Sequence, residues 1–278
     1  MSNVAPAADL AFVMEHVAEW RAGLGAEAGE PSPREVAAIL DEAARFADEV
    51  VAPLNRPADA APSVWRDGEV RTPEGWKEVY RAWAAGGWNG VSLPAAHGGM
   101  GLPVILGTAA MELLTSACFA LATLPVLTHG AVDALDAHAD AGLKALYLPR
   151  LVSGEWAATM ALTEPQAGSD LGALRTRAEP AGDGTYRITG QKIFITYGEH
   201  DLTGNIVHLV LARLPGAPEG TRGISLFLVP KILVDPDGSL GARNDVRCAG
   251  IEHKLGIRAS PTCTMVFGEA GGAVGGLV

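Results

Sequence analysis

The densest group of chemistry-bearing residues in this chain is Ala161-Leu162-Thr163-Glu164-Pro165-Gln166-Ala167-Gly168-Ser169-Asp170. It follows an apolar stretch that reads as a strand, and it opens an irregular loop. Its glycine lets a ligand approach the backbone closely, and its hydroxyls and free amides can donate to anionic oxygens. The same residues could equally make a capped turn after a strand, and on residue types alone both readings stand. The spacing matches neither the glycine-rich dinucleotide fingerprint nor the P-loop. Glu199 beside His200 has the residue types of an acid–base pair, but adjacent in a turn they read as a solvated or capping pair. His97, His129, His138, His208 and His253 have no ligand-like spacing, so no metal site is expected. Cys118, Cys248 and Cys263 are odd in number and form no Cys-x-x-Cys, which reads as reduced thiols in a cytoplasmic protein rather than a disulfide framework.

The elements that must position these residues change character along the chain. Ser32-Pro33-Arg34-Glu35 is a capping box with proline at the first helical position. Val36, Ile39, Leu40, Ala43, Phe46, Ala47 and Val50 then recur at helical spacing, and Pro53 is expected to end that helix. Thr72-Pro73-Glu74 starts another helix, with Trp76, Val79, Tyr80 and Trp83 on one face. The apolar 103–124 segment reads as one central helix, followed by helices around 130–138 and 140–148. A weaker amphipathic stretch covers Leu10 to Trp20. After Pro149 the period becomes that of strands: Trp156 to Leu162, Ala173 to Glu179, then Tyr186, Ile188, Ile193 and Ile195 beyond the Asp183-Gly184 turn. Ile206 to Arg213, Gly223 to Val229 and, as the last strand, Cys263 to Phe267 complete the set. These readings predict an α+β protein, with an N-terminal α-helical domain over 1–155 and a middle β-domain over 156–278.

The chain has 278 residues, 48% of them hydrophobic, which is enough for a large core. The formal net charge is -11. Almost all of the excess acid lies before residue 156, and such a chain is poorly suited to grip nucleic acid or an anionic membrane surface. Leu102 to Leu127 is apolar enough to test as a membrane span, but Glu112 near its middle favours a buried core helix. Met1-Ser2-Asn3-Val4-Ala5-Pro6 lacks the regions of a secretory signal.

Continued through Leu171-Gly172-Ala173, the 161–170 stretch resembles the flavin-contacting motif of the acyl-CoA dehydrogenases: Thr-Glu-Pro, any residue, a small residue, Gly-Ser-Asp. The resemblance extends through Ile188-Thr189-Gly190-Gln191-Lys192-Ile193-Phe194-Ile195-Thr196 and Lys254-Leu255-Gly256-Ile257-Arg258-Ala259-Ser260-Pro261-Thr262. Three motifs in order over about a hundred residues make a specific match, and the resemblance covers essentially the whole chain. The opening helix, Tyr197-Gly198-Glu199-His200-Asp201 and Thr221-Arg222-Gly223 look most like a long-chain branch that includes the methylmercaptopropionyl-CoA dehydrogenases.

The resemblance implies an antiparallel, barrel-like β-domain, an FAD cofactor and α,β-desaturation of an acyl-CoA. In that chemistry a carboxylate takes a proton from Cα and a hydride leaves Cβ for the flavin. It also implies an electron-transfer acceptor and a homo-oligomer, with no nucleic acid and no membrane span. By position, Met160, Leu162 and Thr163 would bind the pyrimidine edge of the flavin. Gly168 and Ser169 would lie near the pyrophosphate, Ser169 also beside the acyl-CoA. Phe194, Ile195 and Thr196 would pack against the ring, Phe194 standing where many members have tryptophan. The family's catalytic glutamate comes from a helical C-terminal domain, and no residue here matches it. The expectation is therefore a truncated, inactive form without its base, which self-associates through an uncovered apolar face or covers that face with its own chain. An acyl-CoA oxidase and a non-catalytic scaffold that keeps the fold are the rival readings.

Overall fold

The computed structural model describes residues 5–18, 20 and 31–278; the first four residues and Glu19, on which part of the N-terminal reading rests, lie outside them. Helix α1 spans Ala7–His16. Helix α2, Pro33–Phe46, starts at the capping box: Ser32 Oγ accepts from Glu35 N–H at 3.3 Å, and Glu35 Oε2 accepts from Ser32 N–H at 2.7 Å. Pro53 does not end this run. The chain passes through a π-helical turn, Ala47–Val51, into α3, Ala52–Ala60. A proline can donate no amide hydrogen and would press on the carbonyl four residues back; the wider π turn lies where that ring enters.

The first half is not all helical. A short hairpin, β1 Val64–Arg66 with β2 Glu69–Arg71, precedes α4, Trp76–Ala85. The face of α4 predicted from spacing, Trp76, Val79, Tyr80 and Trp83, is buried. The long apolar segment also divides otherwise than its composition suggests. Helix α5, Val104–Ala117, stops at Cys118 (φ -155°, ψ 92°), and α6 runs Phe119–His138, carrying Pro125 inside it and absorbing the helix expected near 130. The break follows Thr115 and Ser116, whose hydroxyls bond back to the carbonyls of Met111 (2.6 Å) and Leu113 (2.8 Å) and so compete with the ladder. Helix α7 is Ala141–Val152. Among the described residues no helix is long and apolar enough to cross a membrane.

The second half is built on strands β3 Ala157–Ala161, β4 Arg177–Pro180, β5 Tyr186–Thr196, β6 Ile206–Arg213 and β7 Ile224–Pro230. They are followed by β8 Ile232–Val234, β9 Leu240–Arg243, β10 Val246–Ile251, β11 Thr262–Phe267 and β12 Ala273–Leu277. The strand at Thr262–Phe267 is thus not the last. Ala173 ends a 3₁₀ turn, Leu171–Ala173, rather than beginning a strand. Strands β4, β5, β12, β7 and β6 pair in a ring that closes where Arg177 of β4 meets Arg213 of β6, so the β-domain contains a closed barrel. Its ladders are antiparallel, except that β4 meets β6 in parallel. Outside the ring, β3 lies parallel to β6, while β11 and β10 extend antiparallel from β5.

Three apolar cores result. One fills the helices and takes in Ala157, Tyr197, Leu202 and Ala259 from the second half. A second fills the barrel with Ile188, Ile195, Val210, Phe227, Val229 and Met265. The third joins Leu135, Tyr147, Leu148 and Leu151 of α6 and α7 to Trp156, Val207, Leu209 and Leu228 of the sheet. Helices and barrel therefore share buried surface along the edge where β3 lies.

Candidate functional site

The two segments singled out by sequence lie side by side. Thr159 Oγ1 donates to Thr196 O (2.7 Å), Ile193 N–H to Thr163 O (2.9 Å) and Lys192 Nζ to Leu162 O (3.0 Å). Met160, Leu162 and Thr163, at and just beyond the end of β3, are therefore pinned against Lys192–Thr196 at the end of β5. Leu162, Thr163 and Thr196 are half-buried on this seam.

Phe194 stands out from it. Opposite β11 the register slips between Cys263 and Met265, which pair with Ile195 and Lys192. Ile193 and Phe194 thus face one partner residue, which is a β-bulge. Phe194 takes φ 60°, uncommon for an aromatic residue, and its side chain is 57% exposed. The bulge also changes the phase of the strand. Ile188 and Lys192 point inward before it and Ile195 after it. Ile195, expected to pack on the flavin, buries its side chain in the barrel core, leaving its backbone for the seam.

The loop from Glu164 to Asp170 is held by a buried ion pair. Glu164 N–H and Ala167 N–H each donate to the other residue's carbonyl at 3.0 Å, closing a tight turn. The Glu164 carboxylate accepts from Lys192 Nζ (2.8 Å), Thr176 N–H (3.0 Å), Thr176 Oγ1 (2.6 Å), Arg175 N–H (2.7 Å) and Gln166 Nε2 (2.6 Å). Burial raises the pKa of this carboxyl, but the bonds from Lys192, Thr176 and Arg175 outweigh it and hold the value at about 2. Glu164 is thus the structural acceptor its place in the motif suggests. Beyond the turn, Gly168 and Ser169 are exposed, and a Cβ added at Gly168 would meet nothing within 4 Å. Asp170 turns inward on its own loop, accepting from Gly172 N–H at 3.0 Å.

Glu199 and His200 are not solvated. Both are buried, at 2% and 1% exposure. Burial raises the Glu199 carboxyl, while Lys231, hydrogen-bonded to it, and Arg243 at 3.6 Å compensate its charge. His200 Nδ1 accepts from Leu202 N–H (3.2 Å), and burial lowers its pKa to about 3. His97 bonds Asp136 (2.9 Å), His129 bonds the carbonyl of Asn89 (2.8 Å), and buried His208 lies between the carbonyls of Val229 and Gly198. Among the described residues no group of His, Cys, Asp and Glu could hold a metal. The cysteines are free and buried.

Lys192 and Tyr197 were missed as site residues. Lys192 had a legible signal: strand alternation from Ile188 places a lysine on an apolar inner face, which demands a buried acid. Tyr197 had none, because its φ of 52° and its partners come from the fold.

The seam suits a planar group with an anionic tail. An exposed ring at Phe194 offers a stacking surface. The hydroxyls of Thr163, Thr196 and Ser169 have no protein partner among the described residues and can serve a ligand's acceptors. Among the described residues, surface cavities of about 440–520 Å³ are lined by residues other than those of the seam.

Sequence comparison matches residues 33–155 to the acyl-CoA dehydrogenase N-terminal domain and 159–270 to the acyl-CoA dehydrogenase middle domain. The 3-methylmercaptopropionyl-CoA dehydrogenase of Ruegeria pomeroyi is 48% identical over 273 residues, covering 98% of this chain and 46% of that protein. A butyryl-CoA dehydrogenase of Syntrophomonas wolfei is 39% identical over 249 residues, covering 88% of this chain and 40% of that protein. The chain spans about half or less of the length of these curated relatives. Among solved structures, acyl-CoA dehydrogenase complexed with FAD from Bacillus anthracis aligns with a TM-score of 0.67 at 24% identity, over 87% of this chain and 36% of that one. Caenorhabditis elegans ACDH-11 in complex with C11-CoA aligns with a TM-score of 0.70 at 24% identity, over 88% and 42%. These structures share the fold.

Proposed function

Since the chain belongs to the acyl-CoA dehydrogenase family, we propose that residues 1–155 and 156–278 are the helical and barrel domains of an FAD-dependent enzyme that introduces an α,β double bond into an acyl-CoA thioester. The observation that carries this reading is the seam itself: the exposed Phe194 ring on a segment bonded to Thr163, with the hydroxyls of Thr163 and Thr196 lacking a protein partner among the described residues. When bound, FAD supplies the acceptor for the hydride that leaves the substrate's Cβ. Met160, Leu162 and Thr163 offer backbone groups and one hydroxyl to the polar edge of the ring, and donors there stabilise negative charge as it develops. Phe194 would cover a ring face, the Thr196 hydroxyl and Ile195 backbone would border it, and Gly168 and Ser169 would receive phosphate oxygens. Ser169 would also lie beside the acyl-CoA.

No base for the Cα proton is assigned within these residues. Glu164 is committed to Lys192, and Glu199 to Lys231 and Arg243, while Asp170 accepts from Gly172 N–H within its own loop. The two domains alone are accordingly proposed to bind flavin without turning substrate over. The complete enzyme is proposed to be a cytoplasmic homo-oligomer that passes its electrons to a separate electron-transfer protein. Titration of the chain with FAD, followed by quenching of flavin fluorescence, tests the central assignment. Saturable quenching that is weakened by Thr163→Val supports it; no quenching at millimolar FAD refutes it.

A further inference from the structure

The end of β5 is bent twice. Phe194 at φ 60° and Tyr197 at φ 52° bracket Ile195 and Thr196, and both lie in a region that bulky residues rarely occupy. Such a backbone persists only when its surroundings hold it there. Its holders can be named. Thr159 Oγ1 donates to Thr196 O (2.7 Å), Tyr197 N–H to Pro261 O (2.8 Å), and Gly198 O lies 2.8 Å from His208 Nε2. The Tyr197 hydroxyl donates to Ala120 O (2.8 Å) in the first turn of α6 and also meets the Ser260 hydroxyl. Ser260 in turn pairs with Thr123 of α6 (3.1 Å), and its carbonyl accepts from Lys254 Nζ (2.6 Å). Tyr197 is fully buried, so this contact draws on no solvent.

We propose that Tyr197 is a positioning residue for the flavin ring: its hydroxyl ties the bent Phe194–Thr196 segment to α6 and thereby sets the attitude of the Phe194 ring and the Thr196 hydroxyl. The proposal rests on the flavin reading above, but its physical core, the restraint of residues 194–198, stands apart from any ligand. Ala120 O opens α6, so the tyrosine spans from the helical domain to the flavin-facing edge of the barrel. Phe194 is three residues from Tyr197, and the chain between them makes a turn in which Gly198 N–H donates to Ile195 O (3.2 Å). A change at Tyr197 is therefore transmitted to Phe194 through a single turn of backbone.

The test compares Tyr197→Phe with Tyr80→Phe in the 278-residue chain. Tyr80 is a comparably buried tyrosine whose hydroxyl donates to Gly154 O at 3.2 Å and not to the 194–198 segment. Tyr80→Phe loses one buried hydroxyl bond and Tyr197→Phe loses one together with its contact to Ser260, so urea unfolding of both variants sets the general destabilisation against which exchange is read. Amide hydrogen exchange without flavin should quicken about tenfold at residues 194–198 in Tyr197→Phe and stay unchanged there in Tyr80→Phe. Titration with FAD should show a dissociation constant raised about five- to tenfold by Tyr197→Phe alone, with a blurred visible band of the bound flavin. Equal exchange at 194–198 in the two variants overturns the proposal, as does loss of protection spread over β6 and β7. Should Tyr197→Phe not fold, Ser260→Ala carries the test: exchange at 194–198 faster by a few-fold is expected, and no change overturns it. Absence of FAD binding by the unmodified chain defeats the flavin reading while the exchange comparison still decides the restraint.

Discussion

Replacing Glu164 by glutamine removes the charge at the centre of the flavin-side loop while keeping its volume. The carboxyl sits about 2.5 units below its usual 4.5, at about 2. At about 1.4 kcal/mol per unit, its ionised form contributes about 3 kcal/mol to folding. Glu164 is 4% exposed, so water screens little of this. Glutamine also removes the counter-charge of Lys192, whose side chain is fully buried and whose other bonded partner, Leu162 O, is neutral. Removing one member of a buried pair costs about 3–5 kcal/mol. The amide's N–H₂ would in addition confront either Thr176 or the donors of Arg175 and Gln166. We therefore expect Glu164→Gln to lose about 3–5 kcal/mol in urea unfolding at pH 7. The pH dependence has a fixed sign. The folded pKa is depressed, so the unfolded state binds more protons between pH 4.5 and 2, and stability falls as pH drops through that window. The variant should lack about 3 kcal/mol of this acid-limb loss. A variant within 1 kcal/mol of the parent at pH 7, or an acid limb of the same height in both, refutes the reasoning. Either result would mean that the loop is held by its turn and backbone bonds without the ion pair.

Thr163→Val should leave unfolding stability within about 0.5 kcal/mol, because its hydroxyl has no protein partner among the described residues, yet weaken FAD about fivefold in a fluorescence titration. Phe194→Ala should likewise spare stability and weaken FAD by up to about tenfold, whereas Phe194→Trp should retain binding; equal affinity across the three would remove the ring from the site. The thiols should be inert in the folded chain. Cys118 is pushed up by burial and Cys263 by its hydrogen bond with Cys248 and by burial; the same bond lowers Cys248, but that thiol is fully buried and out of reach of a reagent. A chromogenic thiol reagent should react slowly at pH 8 and count three cysteines only after denaturation; rapid modification of the native protein would contradict the packing.

Much of the architecture was legible because it is local. The capping box at Ser32 and Glu35 names its own partners within four residues. The buried face of α4 follows from spacing, and β6, with limits Ile206 and Arg213, from a run rich in Val, Ile and Leu. The misreadings come from competition between local signals. Pro53 reads as a stop, yet a π turn carries the chain past it. The 103–124 run reads as one helix, yet hydroxyls back-bonded at Thr115 and Ser116 precede a break at Cys118. The short hairpin at Val64–Arg71 is too brief to show a period.

The site divides along the same line. Residue types and order in 161–170 and 188–196 were enough to select the two segments and the family, because those side chains and glycines are specified one position at a time. The sequence could not say that the segments touch. Thr159 meets Thr196, and Thr163 meets Ile193, across thirty residues or more, and only the parallel pairing of β3 with β6 and the closure of the barrel bring them together. The bulge at Ile193–Phe194 is likewise tertiary. It exists because β11 presents one residue where β5 presents two, and it alone turns Phe194 outward and Ile195 inward. The chain's own alternation would have placed them by simple parity. Side-chain chemistry was thus written in the sequence, while direction and distance were set by strand register, which depends on residues far away along the chain.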